Sequence, residues 1–134
     1  MNTLLDNEWI HVEIVPAERK IMGEWKDAGR KVISEEEFQA IFNRVLEAIK
    51  DFQVEKWPDD TTYMGIVPVG CQRWMTGHFF PKAIAHGLKK ASVIHSKDIF
   101  AVSAVKSVLT KISSDLEVEA FASKEKAEDW MATA

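Results

Sequence analysis

Between Ser34 and about Lys50 the apolar residues Phe38, Ile41, Phe42, Val45, Leu46 and Ile49 return every three or four positions. That spacing puts six large side chains on one face of a helix, and such a face is stable only when it is pressed against another apolar layer. The start of the helix is written into the chain as well. Ser34 and Glu37 have the spacing of a capping box, and Glu35 and Glu36 add negative charge where the helix dipole favours it. A chain built around this helix must supply a sheet or further helices to cover it.

The neighbouring segments supply a sheet. Residues Trp9 to Val15 alternate, with Ile10, Val12 and Ile14 on one face and His11 and Glu13 on the other, which is the period of a half-buried strand. Pro16 ends it. A second strand follows with Ile21, Gly23 and Trp25 on one face, and the pair reads as an antiparallel hairpin. Beyond the helix, Phe52 to Trp57 reads as a short strand closed by Pro58, because proline cannot donate to a sheet ladder.

Asp59 to Gly70 reads mostly as loop, punctuated by Gly65, Pro68 and Gly70. From Cys71 a helix runs towards Phe79, broken or kinked near Gly77 and Pro81, with a second short helix from Pro81 to Gly87. Ala91 to Ile94 is an interior strand. Asp98 caps a helix bearing Ile99, Val102, Val105, Val108, Leu109 and Ile112. Val118 to Ala122 is a last strand, and Ser123 caps a terminal helix that turns Ala127, Trp130 and Met131 inward. The expected order is β-β-α-β-α-β-α-β-α. It describes an α/β fold with an N-terminal β-hairpin joined to a mainly parallel mixed sheet of about five strands, with helices on both faces.

Composition narrows the classes of function. At 134 residues the chain has the size of one domain, and 46% hydrophobic with 28% charged residues is an ordinary globular balance. The formal charge of −4 argues against a nucleic-acid or anionic-membrane surface. The single cysteine, Cys71, excludes an intrachain disulfide framework and fits a reducing compartment. With no signal-like start and no run near the roughly 20 apolar residues that span a bilayer, the expectation is a cytoplasmic protein without integral membrane association.

No motif marks an enzyme. His11, His78, His86 and His95 lack zinc-site spacing, no Gly-x-Ser-x-Gly elbow or Gly-rich phosphate loop occurs, and neither metal nor cofactor is expected. Two places stand out against that background. Asp60, Thr61 and Thr62 lie after a strand, at the edge where open α/β sheets bind ligands, and read either as a phosphoacceptor or partner loop or as an ordinary turn. Trp57, Trp74 and Phe79 read either as the lining of an apolar pocket or as core.

The segments Lys56-Trp57-Pro58-Asp59-Asp60, Arg73-Trp74, Phe80-Pro81-Lys82-Ala83, Gly87-Leu88-Lys89-Lys90-Ala91, Asp98-Ile99-Phe100 and Ala127-Glu128-Asp129-Trp130-Met131 carry a resemblance. Over about its last two-thirds the chain resembles the STAS and SpoIIAA-like group of small bacterial proteins, above all its stand-alone members. The resemblance implies a single SpoIIAA-like domain over residues 1–134 with no established activity among the stand-alone members, and the first reading is a non-enzymatic STAS-like binding or regulatory module. Its partner would be a protein met around Asp60 to Gly65, or a second copy of the chain. Relatives in that group carry an Asp, two hydroxyl residues and Gly-Leu-Gly after a central strand, the second hydroxyl accepting phosphate. In this chain Tyr63 follows the second hydroxyl and Pro68 delays the helix. The alternative is a carrier or sensor of a small apolar ligand near Trp57, Trp74 and Phe79, for which a pocket of about 300 Å³ or more would speak.

Overall fold

The computed structural model describes residues 2–133. The strands are β1 (Asn2–Asp6), β2 (Ile10–Val15), β3 (Lys20–Trp25), β4 (Lys56–Asp60), β5 (Lys90–Ile94) and β6 (Glu117–Phe121). The helices are α1 (Glu35–Phe52), α2 (Val69–Trp74), α3 (Phe80–Ala85), α4 (Ile99–Leu109) and α5 (Lys124–Met131). All six strands form one α/β sheet in chain order, antiparallel from β1 to β3 and parallel from β3 to β6. Right-handed crossovers between strands added always on the same side put α1, α2, α3 and α4 on one face. Only α5 folds back onto the other, against β4, β5 and β6. Among the described residues no helix is long and apolar enough to cross a membrane.

The hairpin and its helix follow the sequence pattern. In β2 Ile10, Val12 and Ile14 are buried while His11, Glu13 and Val15 are half-exposed. The chain turns through Pro16–Glu18 with Arg19 left-handed at φ 52°, then returns as β3. Ser34 Oγ accepts from Glu37 N at 3.1 Å, and Glu37 Oε1 accepts from Ser34 N at 3.4 Å, so the capping box is closed. Glu37 Oε2 also accepts from Trp9 Nε1 at 2.8 Å, tying the helix start to the hairpin. The six stripe residues are all buried, together with Ala48.

Several expected elements take another form. β1 adds a sixth strand that the alternation does not announce, because a register shift between Thr3 and Leu5 places the adjacent Leu4 and Leu5 against one partner strand. Phe52 is the exposed last residue of α1 and no strand begins there. The strand is Lys56–Asp60, and it contains Pro58. Pro58 survives inside the sheet because only one ladder suffers. Pairing with β5 is continuous through Pro58↔Ser92, whereas pairing with β3 lapses between Lys20↔Lys56 and Gly23↔Asp59.

The kink expected near Pro81 is a π turn over Met75–Phe79 that joins α2 to α3 in one helical path. Phe80 N donates to Met75 O, five residues back, so the widened turn absorbs the amide that Pro81 lacks. Helix α4 begins at its Asp98 cap as expected, but it buries Ala101, Ala104 and Val108. Ile99, two residues before Ala101 and so on the opposite side of the helix, is 76% exposed.

The terminal helix is fastened by two lysines. The Lys90 side chain is buried, and its Nζ donates to Trp130 O at 2.7 Å, Thr133 O at 2.8 Å and Thr133 Oγ1 at 2.7 Å, while lying 4.4 Å from the Trp130 ring centroid. Lys56 Nζ reaches Met131 O at 3.2 Å. Cations thus satisfy the carbonyls that a helix leaves unpaired at its C-terminus. Ala127 and Met131 are buried there, and Trp130 is half-buried.

Candidate functional site

The parallel strands β3, β4 and β5 all end at one edge, and the loops that follow are laced together. Asp60, closing β4, accepts from Thr62 N at 3.0 Å and Thr62 Oγ1 at 2.5 Å, a local turn held by its own carboxylate. Thr61 is buried and its hydroxyl donates to Ile94 O at the end of β5. Lys97 N donates to Thr62 O at 2.9 Å, and Ser96 Oγ donates to Met64 O at 2.7 Å. The first part of the loop, Thr61 to Met64, is therefore bound to the end of β5 and the loop that follows it.

On this braced edge the chain displays apolar side chains. Tyr63 is 49% exposed, Ile66 46%, Val69 59%, Ile99 76%, Phe100 68% and Val32 52%. Lys97 Nζ lies 4.8 Å from the Tyr63 ring centroid. Tyr63 and Ile66 border the same shallow depression as Ala28, Gly29, Lys31 and Ile33, which brings the β3–α1 connection beside the β4–α2 loop.

Trp57, Trp74 and Phe79 are also brought together, chiefly by packing on one another. Phe79 is fully buried, with ring centroids 5.3 Å from Trp57, 6.3 Å from Trp74 and 5.0 Å from Phe42. Trp74 is half-buried and stacks on His78 at 4.9 Å. Trp57 borders a cavity that lies between the sheet and the helices and measures about 70 Å³, and neither Trp74 nor Phe79 lines it. That volume is well below the roughly 300 Å³ of a pocket for a drug-sized ligand.

The sequence reading assigned no role to Asp59, which also borders the cavity. Its strand position puts it on the inward face with Trp57 and Thr61. Asp59 Oδ2 accepts from Trp25 Nε1 at 3.3 Å, and Oδ1 is a buried side-chain oxygen with no partner. The residue keeps some exposure, since it also borders the groove on the opposite face of the sheet, but Oδ1 has essentially none. Burial pushes the carboxyl up to about 7, helped by the neighbouring Asp60 charge and opposed by the Trp25 hydrogen bond. Gly23 makes room for it, because a Cβ there would stand 2.5 Å from Oδ1. The signal available in the sequence is the alternation Trp57, Asp59, Thr61, legible once Pro58 is allowed inside a strand.

The opposite face of the sheet carries a groove of about 720 Å³ beside α5, floored by Met22, Pro58 and Ser92 with Lys20 and Lys56 among its walls. His11 borders it with Nε2 3.0 Å from Glu13 Oε1 and Nδ1 3.1 Å from Asp6 Oδ1, and these bonds raise the imidazole above its usual range. Cys71 is fully buried, and desolvation pushes its thiol up to about 11, so it is not a ready nucleophile. No protein-family model matches the chain, and no curated protein matches it at a significant level.

Proposed function

We propose that the protein is a non-enzymatic binding module of the STAS-like, SpoIIAA-like kind, working in the cytoplasm, that docks a protein partner through the C-terminal edge of its parallel strands. The observation that carries this reading is the set of exposed apolar side chains on that edge, Tyr63, Ile66, Val69, Ile99 and Phe100, with Val32 nearby. Single exposed apolar residues are normal, but a grouped set on neighbouring loops is the mark of an interaction surface. The cross-bonded loops favour docking further, since a surface already ordered loses little freedom on binding.

The charges around the edge select the class of partner. Exposed Arg30, Lys31 and Lys97 are interspersed with exposed Asp27, Glu35 and Glu36, and the chain carries a formal charge of −4. A mixed rim of this kind suits another protein, whereas an anionic membrane or a nucleic acid would call for a basic one. Thr61 and Thr62 serve as braces in this account, since both hydroxyls are engaged.

Ile66→Asp and Phe100→Asp test it. Both side chains are exposed, so each variant is expected to keep its stability within about 0.5 kcal/mol. Capture from the native cells should recover a stoichiometric protein with the unaltered chain and with Phe52→Ser, which alters an exposed aromatic at the far end of α1. It should be lost with the two aspartate variants. Retention of the same protein by all the variants, or binding to anionic vesicles in its place, contradicts the proposal.

A further inference from the structure

Two like-charged pairs stand across β3 and β4 on the side of the sheet that α5 leaves partly open. Lys20 lies beside Lys56 in the parallel ladder and, further along the same strands, Glu24 lies beside Asp60. All four border the groove of about 720 Å³, with Met22 and Pro58 between the two pairs. They share that face because Lys20, Met22 and Glu24 are out of step with the buried Ile21, Gly23 and Trp25. The cationic row runs on to Lys90, whose ammonium is already taken up by the end of α5.

Like charges directly opposite one another on a sheet are destabilising, and here one such pair follows another along the same two strands. The protein's own groups balance them only in part. Lys56 Nζ donates to a backbone carbonyl, that of Met131, which leaves the ammonium with donors to spare. Lys20 Nζ meets Glu18 Oε1 at 3.3 Å, but the Glu18 side chain is largely exposed. At the other end Asp60 uses Oδ1 for both of its bonds with Thr62, and His11, which faces Glu24 across the ladder, has its ring nitrogens on Asp6 and Glu13. Among the described residues neither Lys56 nor Glu24 takes part in an ion pair. Lys124 and Glu128 of α5 also border the groove, and both are exposed.

We propose that the groove binds a linear zwitterion, its carboxylate between Lys20 and Lys56, its ammonium between Glu24 and Asp60, and its methylene chain over Met22 and Pro58. The volume of about 720 Å³ lies within the roughly 300–1,000 Å³ of small-molecule sites. Strand rise sets the length of the ligand. Four residues separate the rows by about 13 Å, and a charge-assisted contact of about 3 Å at each end leaves about 7 Å between the ligand's charges. A chain of five methylenes spans that distance, whereas an amino group next to its own carboxylate does not. The site lies on strand faces, clear of the loops of the docking edge, so either can fail without the other.

The probe is ε-aminocaproate, with hexanoate and hexylamine as its single-charge counterparts, and the readouts are calorimetry at low ionic strength and the methyl resonances of Met22 and Met131. Saturable binding at about millimolar affinity is expected, in keeping with so few atoms. Each counterpart should bind about tenfold more weakly or worse, as loss of a charged partner does. Lys20→Gln and Glu24→Gln divide the site by its ends. Lys20→Gln should shrink the preference over hexylamine several-fold and leave that over hexanoate, and Glu24→Gln should do the reverse, with the unfolding midpoint of each variant unchanged. Equal binding of all three compounds, preferences that either variant leaves unaltered, or no saturable signal from the folded protein overturns the proposal.

Discussion

Raising the pH from about 4 to about 8 is expected to cost the protein about 4 kcal/mol of folding stability through the single carboxyl of Asp59, at about 1.4 kcal/mol per pH unit. The sign follows from the direction of the shift. In the folded protein burial raises this group from an ordinary 3.8 to about 7, so between those values the native state holds a proton that the unfolded chain has released. Its contribution is complete below about pH 4 and is lost as the pH rises through about 7. Asp6, Glu37 and Glu55 are lowered by their hydrogen-bond and ion-pair partners and act the other way, losing stability as the pH falls below the carboxylate range. His11 is raised and acts in the same direction as Asp59. Asp59→Asn removes one of these groups and leaves the rest, so the difference between the two urea-unfolding profiles isolates it. The profiles should lie close together near pH 4, where the neutral Asn side chain mimics the protonated acid, and separate as the pH rises through about 7, with the unaltered chain falling below the variant. Parallel profiles contradict a buried, uncompensated carboxyl.

Phe42→Ala should cost about 3–5 kcal/mol, the usual range for a large aromatic removed from a packed core. Phe42 is 3% exposed and touches both layers, with ring centroids 4.6 Å from Phe38, 6.1 Å from Trp25, 5.7 Å from Trp57 and 5.0 Å from Phe79. Its removal would open a void where α1, the sheet and the π turn meet, and no neighbour can fill it without leaving its own packing. Phe52→Ala, ten residues along the same helix but 45% exposed, should cost less than about 1 kcal/mol. A loss at Phe42 as small as that at Phe52 would mean that the stripe does not face the sheet.

The elements that were legible in the sequence are those in which one period runs undisturbed. The α1 stripe, the alternation of β2, and the Ser34, Asp98 and Ser123 caps all appear where their spacing puts them, because each depends on residues close in the chain. The failures occur where a distant partner overrides local preference. Pro58 reads as the end of a strand, yet β5 pairs with the side of β4 that needs no proline amide. Leu4 and Leu5 do not alternate, and only the bulge against β2 makes them a strand. In α4 the stripe was expected to begin at Ile99, but Ala101 and Ala104 take the inner face with Val108.

The same division holds at the sites. The loop Asp60 to Thr62 was visible as a turn at a strand end, and its aspartate and hydroxyls do bond locally and to β5. The proposed docking edge was legible only at Asp60 to Gly65, since Ile66, Val69 and Phe100 join it from other stretches of the chain and no local pattern marks them as exposed. Asp59 was hidden by the same proline that hid its strand. A carboxylate two residues from a tryptophan reads as loop until the strand around it puts both on one face.

The docking edge is tested most directly by placing a photo-crosslinking benzoylphenylalanine in turn at positions 66, 100 and 52 and irradiating the native cells. All three positions are exposed, and the third stands away from the edge at the end of α1. The account predicts one discrete protein adduct of common mass from positions 66 and 100 and none from position 52. No adduct from the first two, or the same adduct from all three, would contradict it.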